Sequence, residues 1–271
     1  PARNDEFSDL IHAFDSLHRT IAEREEALRR SVTLLGRSTA QLERFTYLAS
    51  HDLQEPLRSV ASYAELLERR YKGQFDERGE QYLDFLVAGA RRMKDLVSDV
   101  ARYLQVARER QQFEEVDLDR VLAIARERKG GDATVEIAPL PRVVGDSGQL
   151  QILFENLLEN AVKFVPSDRA PEVRVWAERT AEGHAIHVAD NGVGIADEYQ
   201  QTVFQPFRRL YPVGVYPGTG VGLALCTTIA ERHAGTIDLS SKPDRGTTVT
   251  VTLPDTPPET GPDTPLQTGE A

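Results

Sequence analysis

Residues 5 to 52 hold no proline and a single glycine, Gly36, and apolar side chains recur there at every seventh position: Phe7, Phe14, Ile21, Leu28, Leu35, Leu42 and Ala49. An apolar row at heptad spacing is the seam of a coiled coil, so the pattern predicts one long helix paired with a partner helix, most simply in a symmetric dimer. The companion row is apolar only toward its ends (Leu10, Leu17, Phe45), with Arg24, Ser31 and Ser38 between them, which leaves the middle of the seam weak. His51 lies two positions past Ala49, off the seam, and is expected to face solvent. Pro56 cannot donate to the helix ladder and predicts a kink just beyond His51. The helical pattern resumes through Val60, Tyr63, Ala64, Leu66, Leu67 and Tyr71, a loop is expected over KGQFDERG (72–79), and a second amphipathic helix follows. Its apolar positions are Leu83, Leu86, Ala90, Met93, Val97, Val100 and Leu104. Two helices with a short connection make an antiparallel hairpin, and two hairpins make a four-helix bundle.

From about Glu114 the texture changes. TVEIA, EVRVWAE, HAIHVAD, TIDLSS and TTVTVTLP alternate as strands do, and helical stretches at 117–128, 147–164 and 221–233 lie between them. The stretch after Pro254 is rich in Pro, Thr, Asp and Glu and is expected to be disordered.

The chain's 271 residues carry a net charge of −11, which argues against a nucleic-acid partner, although a few cations gathered at one pocket would still suffice for ATP. One cysteine, Cys226, excludes an internal disulfide and suits a reducing compartment. No run approaches the roughly 18 apolar residues of a membrane span, and no signal peptide is visible, so the expected location is cytoplasmic.

Four short elements carry candidate chemistry in the second half. In NLLENAVKF, Asn156 and Asn160 share one helix face, where two amide oxygens suit a hard cation, and Lys163 is near enough to neutralise phosphate. A solvated helix face is the plainer reading of that stretch alone. In DNGVGI, the Asp190 carboxylate at a strand end can accept from an exocyclic amine, and Gly192 and Gly194 permit close approach; an ordinary Asn-Gly turn explains the same letters. GTGVGLA opens a helix whose free N–H groups favour anions, but it is neither a Walker loop nor a dinucleotide fingerprint. GTTVTVTLP, from Gly246, is a glycine leading a strand. His51, beside Asp52 in LASHDLQEPLR, is open to three readings: core packing, metal ligation or reactivity.

Taken together and in order, these elements resemble the sensor histidine kinases of two-component systems. NLLENAVKF is similar to their N box, DNGVGI to the first glycine box, FQPFRRL to the F box, GTGVGLA to the second glycine box, GTTVTVTLP to the last, and HDLQEPLR to the H box of the phytochrome-type branch. DEFSDLIHAFDSL is similar to the second helix of a HAMP linker, with a soluble sensor's coiled coil as the rival reading. The resemblance implies an α plus α/β chain: a dimeric antiparallel four-helix bundle behind a long coiled coil, then an α/β sandwich with a mixed sheet. The expected boundaries are a signalling linker at 1–39, a dimerisation and phosphotransfer domain at 40–112, an ATP-binding domain at 113–254 and a tail at 255–271.

By the same resemblance His51 is the phosphoacceptor, which uses ATP with Mg²⁺, and Asp52 orients its ring and takes its proton. Asn160 meets Mg²⁺ with Asn156 nearby, Lys163 meets phosphate, Phe164 covers the adenine, and Asp190 accepts from its amino group. Gly192 and Gly194 line the base pocket. Gly218, Thr219, Gly220, Gly222 and Leu223 belong to the phosphate loop, Arg209 approaches the γ-phosphate, and Thr247 completes the pocket. The implied partners are a second copy of the chain, the receiver domain of a response regulator, and an upstream sensor that these residues do not include; the chain is then the cytoplasmic part of a membrane-anchored protein or of a soluble one. Glu55 stands where many relatives carry Thr or Asn, and an ionised carboxylate repels phosphate, which counts against regulator dephosphorylation. The competing functions are a kinase, a phosphatase of the same build, and a nucleotide-binding scaffold that transfers nothing.

Overall fold

The computed structural model describes residues 18–19, 24–26, 28–30, 32–33, 52–109, 111–212 and 215–256. Contacts divide the chain into a unit of residues 1–49 and a unit of residues 50–271. Every described residue of the first unit is helical, as the heptads predict, and Arg30 pairs with Glu26 one turn back at 2.9 Å. Of the heptad row only Leu28 is described and of the companion row only Arg24, and both are exposed; the remaining seam positions lie outside the described residues.

In the second unit, helix α1 is continuous over 52–71 and passes through Pro56 without a break in its helical run. Helix α2 spans Glu77–Arg108 and begins within the expected loop, because Asp76 caps it by accepting from the Gly79 amide at 2.8 Å. Glu80 reaches back to accept from the amides of Gly73 (2.6 Å) and Phe75 (3.3 Å), which fixes the turn. The two helices run antiparallel: Arg91 pairs with Glu65 while Lys72 approaches Asp84. Small residues let them approach, since Ala61, Ala64 and Ala90 are buried with Leu83 and Val87. Much larger side chains on the same hairpin stay exposed, among them Tyr63, Leu66, Tyr82, Phe85 and Leu86. A single hairpin leaves that apolar surface in water, where each large side chain forgoes about 1.5–3 kcal/mol of burial.

The α/β part contains β1 (Phe113–Asp117), α3 (Leu118–Lys129), β2 (Thr134–Ile137), β3 (Arg142–Asp146), α4 (Ser147–Lys163), β4 (Glu172–Arg179), β5 (Gly183–Asp190), α5 (Gly222–Arg232), β6 (Thr236–Ser241) and β7 (Thr247–Pro254). Five strands form a mixed sheet in the order β2-β4-β5-β7-β6, parallel only between β2 and β4. Strand alternation puts Val173, Val175, Ile186, Val188, Val251 and Leu253 in the core, against Leu150, Phe154 and Leu158 of α4 and Ile229 of α5. A second sheet, antiparallel β1 with β3, was not expected from the sequence; its five-residue strands lack a long alternating run. The described helices α3, α4 and α5 agree with the expected stretches to within a residue or two.

Helix α2 joins both cores. Its first half packs on α1, and near its end Val106 is buried in the core of the α/β part with Tyr103 packed alongside. The Arg232 guanidinium at the end of α5 donates to the carbonyls of Ala107 (2.7 Å) and Glu109 (2.5 Å), completing the terminus of α2.

Candidate active site

Helix α4 sets the floor of the site. Its apolar face is anchored by Leu150, Leu153, Phe154, Leu157 and Leu158, so the opposite edge, with Asn156, Glu159, Asn160 and Lys163, borders a cavity of about 460 Å³. That volume suits a nucleotide-sized ligand. The Asn156 side-chain amide donates to the Ile152 carbonyl at 2.8 Å, which turns its oxygen toward the backbone at Gly222, where a Cβ would come within 3.0 Å of it. Lys163 donates to the Asn160 oxygen at 3.1 Å and sits 4.3 Å from the centre of the Phe164 ring. Burial pulls the Lys163 ammonium below its usual range, against the opposing pull of the Glu159 and Asp99 carboxylates.

At the other end, Asp190 closes β5. Its Oδ1 accepts from the amides of both Gly192 (2.8 Å) and Thr247 (3.1 Å), so these two donors share one carboxylate oxygen. Burial pushes its pKa up to about 6, against the pull of those two donors. The Val193 amide donates to the Phe164 carbonyl at 2.9 Å and so ties this loop to the end of α4.

The second glycine loop leads into α5, whose N-terminus has no side-chain cap. Gly220 has φ +82°, and a Cβ there would strike the Arg208 carbonyl at 2.6 Å, so both conformation and space demand glycine. Uncapped N–H groups at a helix start suit phosphate oxygens. Over this end, Tyr211 and Tyr216 gather on Phe164, with ring centres 6.2 and 5.2 Å away, and Arg209 donates to the Tyr216 carbonyl at 3.0 Å.

Fourteen sequence-predicted residues can be placed around this site by the cavity wall and the Asp190 contacts. Asn156, Asn160, Lys163, Phe164, Asp190, Gly194, Arg209, Gly218, Thr219, Gly220, Gly222, Leu223 and Thr247 line the cavity. Gly192 does not reach the wall; it stands behind Asp190, donates to it, and a Cβ there would meet the Phe164 carbonyl at 2.5 Å. Arg209 is engaged by the Tyr216 carbonyl. Asp52 is exposed on α1, away from the wall, and His51 lies outside the described residues. The sequence reading missed the wall supplied by α2, namely Asp95, Ser98, Asp99 and Arg102, and it missed Tyr211 and Tyr216. Nothing local marks α2 as part of a pocket, whereas two tyrosines five residues apart, just before the second glycine loop, were a usable signal. Among the described residues no cluster of three His, Cys, Asp or Glu side chains could hold a metal, and no helix is long and apolar enough to cross a membrane.

The family described as histidine kinase-, DNA gyrase B-, and HSP90-like ATPase matches residues 145–257, and the His Kinase A (phospho-acceptor) domain family matches residues 41–110. Phytochrome-like protein Cph1 of Synechocystis sp. is 37% identical over 239 residues, covering 86% of this chain and 32% of that protein. Cyanobacterial phytochrome A of Nostoc sp. is 41% identical over 225 residues, covering 81% of this chain and 29% of that protein. The chain thus spans about a third of the length of these curated relatives. Among solved structures, full-length ShkA in complex with AMPPNP has a similar fold, with a TM-score of 0.59 and 24% identity over 79% of this chain and 46% of that one. With a phospho-acceptor helix hairpin family at residues 41–110 and a histidine kinase-like ATPase family at residues 145–257, in that order, the chain carries the two domains of the ATP-dependent histidine kinases.

Proposed function

We propose that this chain is the kinase core of a sensor: it binds ATP in the α4–α5 cavity, phosphorylates its own His51, and passes the phosphoryl group to an aspartate of a response regulator. The observation that carries this reading is the convergence of a carboxylate at one end of a single cavity with two asparagines, a lysine and an uncapped glycine loop at the other. Asp190 would hold the adenine amino group, Phe164 would face the base, and Lys163 with the Gly218–Gly222 amides would meet the phosphates. The analogue bound in ShkA supports the assignment of ATP to this fold.

Mg²⁺ fits this residue set: Asn156 and Asn160 offer neutral hard oxygens, and the Asn156 oxygen is directed by its amide's bond to Ile152. The ion would neutralise charge on the phosphates. An imidazole nitrogen of His51 then attacks the γ-phosphorus; the P–N bond forms as the bond to the β–γ bridging oxygen breaks, ADP leaves with that electron pair, and Asp52 takes the ring proton. The exposed apolar face of the α1–α2 hairpin supports a two-fold bundle as the active assembly.

The test is incubation with γ-labelled ATP. Acid-labile label that is lost in His51→Gln and moves to a receiver domain is the expected result. No label, with a dephosphorylated regulator, would replace this reading by the phosphatase; ATP binding without either reaction would leave a scaffold.

A further inference from the structure

Helix α2 reaches into the phosphate end of the cavity. The Thr219 hydroxyl, between the two glycines of the phosphate loop, donates to the Asp99 carboxylate. Asp99 is half-buried, and burial holds its carboxyl above the usual range although Thr219 pulls the other way. Asp95 and Arg102 of α2 and Glu159 of α4 line the same cavity, so Asp99 has charges of both signs around it while its own carboxylate is the one bonded to the loop. Other contacts hold α2 in this position: Arg102 approaches the buried Glu155 at 3.8 Å, and Arg232 binds the last carbonyls of the helix.

A carboxylate seated on the loop that would receive phosphates is itself an anion in an anion site. A nucleotide triphosphate brought to the same loop would meet Asp99 and Asp95 as like charges, and the Thr219 hydroxyl would already be committed. We propose that Asp99 is an intramolecular competitor for the phosphates of ATP, so that the docked position of α2 is a low-affinity state and withdrawal of α2 from Thr219 is the step that admits nucleotide. This inference rests on the assignment of the glycine loop to phosphate.

The arrangement also couples the pocket to the hairpin. The same rigid helix packs on α1 through Leu83, Val87 and Ala90, and Asp99 lies nine residues, about 14 Å, beyond Ala90. A shift or rotation of α2 in the bundle therefore moves Asp99 relative to the loop. By reciprocity, bound nucleotide must disfavour the docked position by the same factor that docking weakens nucleotide binding.

The experiment uses the full 271-residue chain. A fluorescent trinitrophenyl-ATP is displaced by ATP, ADP or adenosine from the wild type, D99A, D99N, T219V and the D99A/T219V pair. Expected is a gain of about tenfold in ATP affinity for D99A and D99N, a smaller gain for ADP, and none for adenosine. In the T219V background, the gain from D99A should fall by at least half. Three results overturn the proposal: unchanged ATP affinity in both Asp99 variants, an equal gain for adenosine, or an undiminished gain in the T219V background. Failure of the pocket assignment is a separate outcome, because wild-type protein would then not bind ATP, or D190N would bind it as well as the wild type does.

Discussion

Replacing Asp190 by asparagine separates the demands of the ligand from those of the fold. The Asp190 carboxyl is pushed from 3.8 to about 6 by burial, a rise of about 2 units. At about 1.4 kcal/mol per unit, ionising this group in the folded protein costs about 3 kcal/mol more than in the unfolded chain. The folded pKa lies above the unfolded one, so the full stabilising contribution exists only below about pH 4 and is lost as pH rises through 6. Asparagine keeps an oxygen for the Gly192 and Thr247 amides, now at 2.8 and 3.1 Å from Oδ1, and it cannot ionise. Asp190→Asn should therefore stabilise the ligand-free protein at pH 7.5 by up to about 3 kcal/mol, a rise of about 6–10 °C in Tm for a domain of this size. The advantage should shrink toward zero near pH 4. Thermal unfolding of both proteins without nucleotide, followed by circular dichroism from pH 4.5 to 8, measures it. Labelling with ATP should be lost in the same variant. A variant less stable than wild type at pH 7.5, or a difference that does not change with pH, would refute the reasoning, because burial of an ionised carboxylate would then not be the dominant effect.

Asn160→Asp places a carboxylate beside Lys163, where the native oxygen now accepts at 3.1 Å; it should abolish autophosphorylation while the unfolding temperature holds or rises slightly, as checked by labelling and calorimetry. His233 is buried and neutral, its Nε2 accepting from the Asp146 amide at 3.0 Å and its Nδ1 donating to the Ile229 carbonyl. His233→Phe strands that amide and should cost about 1–3 kcal/mol in urea unfolding at pH 7.5. Burial lowers the His233 pKa, so its contribution is complete above about pH 6.5 and falls as pH drops further; the wild type, but not the phenylalanine variant, should lose this increment in acid. Arg232→Met removes the donors to the Ala107 and Glu109 carbonyls and should lower stability by about 1–3 kcal/mol, measured as a lower urea midpoint.

Much of this protein was settled by short-range pattern. Alternation fixed the strands β4, β5, β6 and β7, helical spacing fixed α2 and α4, and the glycine loops announced themselves, because each of these signals resides within a few consecutive residues. The spacing of Asn156, Asn160 and Lys163 on one helix face survived folding unchanged for the same reason. Local pattern also misled in one place: α2 starts at Glu77, inside the expected loop, because the Asp76 cap outweighs a glycine in the first turn. Only the tertiary structure decided that α2 walls the phosphate end, that two tyrosines fold onto Phe164, and that Arg232 completes a helix more than a hundred residues earlier. Thr219 and Asp99 are 120 positions apart, and no periodicity spans such a gap. Their meeting depends on how a long helix emerges from one core and enters another, which is a matter of packing volume and shape that no single stretch of sequence encodes.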